Sequence, residues 1–291
     1  MIQRFMILLS ILLVLNLNLF PRSSETDAAK KLEFEVSGGI ALINEHDSFY
    51  DRISGTNNFI AQYAQYYLLT ADLSGDEVNK LKTLKPLNLS LNYNISKNWY
   101  IKIGFEYSSE KTFTEQQNTV KWNGPTEKYH YTYDYRISSL LPYLGIETRF
   151  SSFGFYANVG FNITDFSFIQ TLRYEEGGSL LLDEEETYDT RGKSAAFIVG
   201  GKYMLKLGRR VKLLLKFEYL YLKINSFNGD KNNSSGIVEG TIYTYDMNPY
   251  GIDWFLFWDL HQSEPDDPSI RNVDTLGLDL SCLRIMIGFS F

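Results

Sequence analysis

Eight stretches of this 291-residue chain alternate apolar and polar residues with period two, and that pattern limits the possible folds more than any other feature. Successive side chains leave a pleated strand on opposite faces, so sustained alternation marks a half-buried strand. In the first stretch Leu32, Phe34, Val36, Gly38, Ile40 and Leu42 share one face, and Glu33, Glu35, Ser37, Gly39 and Ala41 the other. Apolar faces recur over Leu87 to Tyr93, Trp99 to Tyr107, Pro142 to Phe150, Phe155 to Ile163, Phe197 to Leu205, Val211 to Tyr221 and Leu283 to Phe291. Turn chemistry at Ile95-Ser96-Lys97-Asn98, Ser151-Ser152-Phe153-Gly154 and Leu207-Gly208-Arg209 joins three pairs of them. The expected fold is all-β, an antiparallel up-and-down barrel of eight strands. Pro142 has no amide donor for a ladder, and Tyr129, Tyr131, Tyr133, Tyr135 and Ile137 lie on odd positions while the apolar face after Ser139 is even. Both facts predict a bulge between Ser138 and Pro142.

Composition narrows the class. A mean hydropathy of −0.22 with a single long apolar run excludes a bundle of transmembrane helices. Aromatics at 15% exclude wholesale disorder. The single cysteine, Cys282, excludes an internal disulfide framework or a Cys-based zinc cluster. A net charge of −7 without a basic stripe argues against a nucleic-acid partner. The start, Met1 to Phe20, has Arg4, an apolar core from Phe5 to Leu15 and a polar interruption at Asn16 to Asn18. It reads as a signal peptide over residues 1–29, cleaved near Ala28 or Ala29, with the barrel and four long loops over 30–291.

Connection lengths orient the barrel. Long connections, Glu45 to Pro86, Ser108 to Asp134, Ser167 to Lys193 and Asn225 to Thr275, alternate with short turns, which is the asymmetry of an outer-membrane barrel with periplasmic turns and extracellular loops. The polar face carries Glu33, Glu35, Lys102, Glu106, Glu147, Arg149, Lys202, Lys206, Lys212, Lys216, Glu218 and Arg284. With the apolar face in lipid these charges point into the lumen and pair there, while Gly104, Gly145, Gly160, Gly200 and Gly288 leave free space beside them. Trp99, Phe150, Phe155 and Phe291 at the short-turn end, and Tyr107, Tyr135, Tyr219 and Tyr221 at the other, form two aromatic girdles.

The ending Ile287-Gly288-Phe289-Ser290-Phe291 resembles the C-terminal strand of bacterial outer-membrane proteins, with Phe289 and Phe291 at its aromatic positions, Arg284 at its polar start and Met286 as a departure. The chain as a whole resembles the small eight-strand barrels of the OmpA transmembrane-domain and OmpW type. That resemblance implies an outer-membrane location with both termini periplasmic, contact with outer-membrane lipid and lipopolysaccharide, and recognition of the last strand by the barrel assembly machinery. It also implies a monomer without a cofactor.

Other chemistry sits in the long connections. Asp259-Leu260-His261 resembles half of an omptin protease site, and His261-Gln262-Ser263 resembles the base and nucleophile of outer-membrane lipid A deacylases. Omptins need a second acidic pair that is not evident here, so the leading expectation is no catalysis and a structural, adhesive or narrow-pore role. A hydrolase using His261 is the alternative, and a secreted lipocalin-like binder with the apolar face inside is a third. Asp183-Glu184-Glu185-Glu186 with Asp189 could attract divalent cations. Phe59, Ile60, Tyr63, Tyr66 and Tyr67 have the spacing of a short helix over the barrel mouth. Ile237 to Asp246 and Ile252 to Leu260 flank the turn Asn248-Pro249-Tyr250-Gly251, a hairpin that would make ten strands if it entered the ring.

Overall fold

The computed structural model describes residues 32–43, 50–66, 70–75, 82–121, 126–208, 211–248 and 254–291. The expected signal peptide lies outside the described residues. In chain order the elements are β1 (Leu32–Ile43), α1 (Asp51–Tyr66), β2 (Thr70–Gly75), β3 (Thr83–Leu84), β4 (Leu87–Ser96), β5 (Trp99–Lys121), β6 (Thr126–Phe150), β7 (Phe153–Glu176) and β8 (Ser179–Lys206). There follow β9 (Lys212–Ile224), β10 (Asn228–Asn233), β11 (Gly236–Met247), β12 (Phe255–His261), β13 (Ile270–Thr275), β14 (Leu278–Asp279) and β15 (Cys282–Ser290). Among the described residues no helix is long and apolar enough to cross a membrane.

Strands β1, β4, β5, β6, β7, β8, β9 and β15 pair in succession, all antiparallel, and β15 returns to β1, for example through Gly38 opposite Ile287. The ring is therefore closed with eight strands, one for each alternating stretch. Closure leaves no free edge in the ring. Phe34 and Phe291 exchange backbone hydrogen bonds of 3.3 and 2.9 Å, so both ends of the described chain meet at the short-turn end.

The ring is lopsided. β1, β4, β9 and β15 stop near one level, but β5 to β8 run on far beyond it and form a tall wall. The stretches Ser108 to Asp134 and Ser167 to Lys193 are thus mostly strand. On the wall the alternation persists with its polarity inverted: Tyr131, Tyr133, Tyr135, Phe166 and Phe168 turn inward and are buried, while Arg136, Asp165 and Arg173 turn outward. The same inversion removes the need for a bulge at Pro142. The β6–β7 register runs unshifted from Leu140 opposite Ile163 to Tyr143 opposite Gly160, with the ladder lapsing only over Leu141 and Pro142. Odd residues face inward along β6, so Tyr135 is core and has no place in a girdle.

Above the short strands, β10 pairs with the upper part of β8, and β11 follows with β12. The hairpin of β11 and β12 extends the wall outside the ring, so the ten-strand alternative does not hold. β2 pairs with the far end of β5. α1 packs on β12 and β2, bridging the two ends of this second sheet. Ile53, Ile60 and Ala64 form its buried side, Phe59 meets Phe255 at 5.8 Å, and a side chain on Gly55 would collide with the Leu256 carbonyl. The helix starts well before Phe59 because this packing outweighs the weak helix propensity of Gly55 to Asn58.

Candidate functional site: a filled lumen under an aromatic canopy

The outer face of the ring is apolar. Leu91, Ile103, Leu144, Ile146, Phe155, Val159, Phe197, Val199, Phe217, Ile285 and Ile287 all project from it and are exposed. Along β7 the belt runs from Phe153 to Ile163, eleven residues separated by ten rises of about 3.3 Å; with strands tilted by about 40° this is a height of about 25 Å, the apolar band of a membrane barrel. Charges end the belt abruptly at the tall-wall end. There Lys111 pairs with Asp134 at 2.5 Å, Arg191 with Asp165 at 2.6 Å, and Lys223 with Asp279 at 3.4 Å. Trp99, Phe150, Phe155 and Phe291 are exposed at the short-turn end, and Tyr219 and Tyr221 near the other edge. Phe289 and Phe291 both face outward. With its apolar face outside, the ring has the opposite polarity to a lipocalin-like binder.

Inside the belt the structure brings together Glu33, Glu35, Lys102, Glu106, Glu147, Arg149, Lys202, Lys212, Lys216, Glu218 and Arg284. The centre is Glu35, fully buried, which bonds Lys102 at 3.2 Å and Lys216 at 3.1 Å, contacts Lys202, and lies 3.7 Å from Arg149. Lys202 also reaches Glu147 at 2.7 Å, and Arg149 joins Glu147 to Glu33, the latter at 2.5 Å. Lys212 meets Glu33 at 2.7 Å nearer the short-turn mouth. A second cluster forms around Arg284, which bridges Glu106 and Glu218. Lys206 does not join either group; it is exposed beside the turn. Cations and carboxylates alternate so closely that each charge taken from water is compensated by its neighbours, the condition for burying ions at all.

Two tyrosines complete the filling. Tyr143 donates to Asn88 at 3.0 Å, and Tyr156 donates to Glu218 at 2.5 Å with Lys102 lying 4.3 Å from its ring centre. Each ring lies over a glycine on the neighbouring strand. A Cβ on Gly104 would meet the Tyr143 hydroxyl at 2.5 Å, and one on Gly200 would sit 3.0 Å from the Tyr156 ring. The space beside these lumen glycines is therefore taken up by neighbouring side chains. These tyrosines were readable as polar-face residues, but only the register shows which glycine each covers.

A row of Ser108, Ser139, Thr164 and Gly192 separates the ionic lumen from an aromatic core in the canopy. Trp258 is its buried centre, with ring centres of Phe168, Tyr188 and Phe166 at 5.0, 5.5 and 6.0 Å. Tyr50, just before α1, closes on Tyr135 at 5.4 Å.

The sequence motifs of the canopy are dispersed or occupied elsewhere. Asp259 accepts from Tyr188 at 2.7 Å and from Lys231 at 3.0 Å, and the His261 Nε2 lies 3.3 Å from the Tyr245 hydroxyl. His261 lines a groove of about 560 Å³ with Val238, Leu260, Gln262, Ser263, Glu264, Pro265 and Asp266. Burial, with a smaller contribution from Lys231, lowers its imidazole pKa against an opposing pull from Asp259. The neutral ring is the folded form, so its stabilising share is complete above the ordinary value near 6.5 and is lost as pH falls below it. An NMR titration should place the His261 midpoint below 6.5; a midpoint above it would contradict this environment. Strand alternation divides the acidic run, with Asp183 and Glu185 on the outer face and Glu184 and Glu186 on the inner, and among the described residues no group of three or more His, Cys, Asp or Glu could hold a metal ion.

No family model and no curated protein matches the chain. Among solved structures it is similar to Ail, the attachment invasion locus protein of Yersinia pestis, at 10% identity over 90% of this chain and 99% of that one, with a TM-score of 0.35. It is also similar to the outer membrane protein OprG of Pseudomonas aeruginosa, at 16% identity over 90% of this chain and 95% of that one, with a TM-score of 0.32. The ring closure, the apolar belt and the ionic interior belong to this chain itself, and by them it is an antiparallel up-and-down β-barrel of eight strands with the transmembrane architecture of the small outer-membrane barrels.

Proposed function

We propose that the protein is a non-enzymatic outer-membrane barrel that displays the canopy at the cell surface for adhesion and does not pass solutes. The observation that carries this reading is the lumen, where the Glu35 and Arg284 clusters are capped by a buried aromatic layer. Small eight-strand barrels have interiors that side chains can fill, and here they do so with paired charges. The belt would face lipid and, at its charged upper edge, lipopolysaccharide. The last strand would offer Phe289 and Phe291 to the assembly machinery, the short-turn end and both termini would lie in the periplasm, and the closed ring would act as a monomer.

Planar-bilayer recording tests the sealed lumen. Refolded protein that shows heat-modifiable gel mobility should give no stable conductance steps, and reproducible ohmic steps would overturn the sealed reading. With Asp259 engaged by Tyr188 and Lys231, a water-activating pair with His261 has no support in the geometry, and the same preparation should leave peptides and lipid A uncleaved.

A further inference from the structure

The tip of the β7–β8 hairpin carries an apolar feature that neither the barrel nor the canopy core uses. Gly177 and Gly178 have φ of 57° and 85°, so the hairpin closes through a two-residue turn with both central residues left-handed, a connection matched to strand twist. Beside the turn the pairing slips: Tyr174 faces Leu182, but Glu175 faces Leu180, which leaves Leu181 as an extra residue. Regular alternation would put Leu180 and Leu181 on opposite faces. The bulge sets both on the outer face with Glu175 and Asp183, where they are 47% and 56% exposed. Bulges re-aim side chains in this way, and here the result is two adjacent leucines presented to solvent at the hairpin tip.

Their surroundings are net acidic. Glu175, Asp183 and Glu185 share their face and Glu176, Glu184 and Glu186 lie on the other, six carboxylates against three nearby cations: Arg173, 3.2 Å from Glu175, Lys128, opposite Glu175 on β6, and Lys231, 3.1 Å from Glu186. We propose that this tip docks a cationic amphipathic protein segment, one that covers Leu180 and Leu181 with apolar side chains and meets the acidic collar with lysine or arginine. The proposal rests on the display reading and names the partner chemistry of its outermost point. Electrostatics select this occupant: an anionic lipid surface and a second copy of the same tip would both bring like charge against the collar, whereas a basic segment is drawn in and gains by desolvating the leucines.

Fluorescence anisotropy tests it, using full-length protein in neutral detergent and a labelled amphipathic helix of lysine and leucine as probe. Saturable binding is expected, weakened about tenfold or more by Leu180→Ser with Leu181→Ser, and similarly by raising salt from about 50 to about 500 mM. Both leucines are exposed, so the double variant should keep its heat-modifiable mobility. Equal binding by the double variant, or equal binding of a probe with glutamate for lysine, would overturn the proposal. So would a leucine-dependent dimer or leucine-dependent capture of anionic vesicles in place of peptide binding. A conducting barrel would refute the sealed lumen without touching this result, while an unbound probe on a silent barrel would remove the docking tip alone.

Discussion

Replacing Glu35 with alanine should lower the unfolding free energy of the detergent-held barrel by roughly 3–5 kcal/mol, the range for removing one partner from a buried ion cluster. Lys102, Lys202 and Lys216 converge on this carboxylate, and all three are buried, at 1%, 2% and 0% exposure. Without it, cations remain enclosed by low-dielectric walls with less counter-charge, and Lys202 keeps only Glu147. The midpoint of a urea titration, followed by loss of heat-modifiable mobility, measures the effect. Glu35→Ala combined with Lys102→Met should recover part of the loss, because the pair is removed together and an apolar side chain of similar length refills the space. A single variant as stable as the parent protein would show that the cluster is solvated and that the lumen is wetter than its geometry implies.

Trp258→Ala is the second large effect, with an expected cost of about 3–5 kcal/mol for deleting a fully buried indole. Its location makes the consequence local. Trp258 touches Phe166 and Phe168 on the wall and Tyr188 on β8, and it sits on β12, against which α1 packs. Losing it should loosen β11, β12 and α1 from the wall while the ring keeps its ladders. Limited proteolysis should then cut within 225–275 or 44–69 at enzyme concentrations that spare the parent protein, with heat-modifiable mobility retained. Loss of both readouts together would mean that the canopy and barrel unfold as one unit.

The eight ring strands were legible because each has one face for lipid and one for the lumen, so hydrophobicity and pleat agree along its whole length. The luminal charges were legible for the same reason: once Glu35 and Lys202 share a polar face, a closed ring gives them only the interior. The upper strands were not. At Ser108, Ser139 and Thr164 the solvent outside changes from lipid to water, and the apolar face changes sides with it. Read for one continuous apolar face, Tyr131, Tyr133 and Tyr135 look one residue out of step, which is how a shift of polarity came to suggest a bulge. The expectation of free space beside Gly104 and Gly200 failed for a different reason. Only the cross-strand register reveals that Tyr143 and Tyr156 lie on them.

The continuity of β5 to β8 has a mechanical consequence. No hinge separates wall from ring, so the direction of the canopy is fixed by the same strands that cross the belt. A pull on the tip at Gly177 and Gly178 would draw β7 and β8 together along their length and pass to the flanking ladders with β6 and β9. Because antiparallel hydrogen bonds stand perpendicular to their strands, that load arrives as shear, and many bonds must yield at once before the strands slide. A load applied at this tip would pass through continuous strands into the ring.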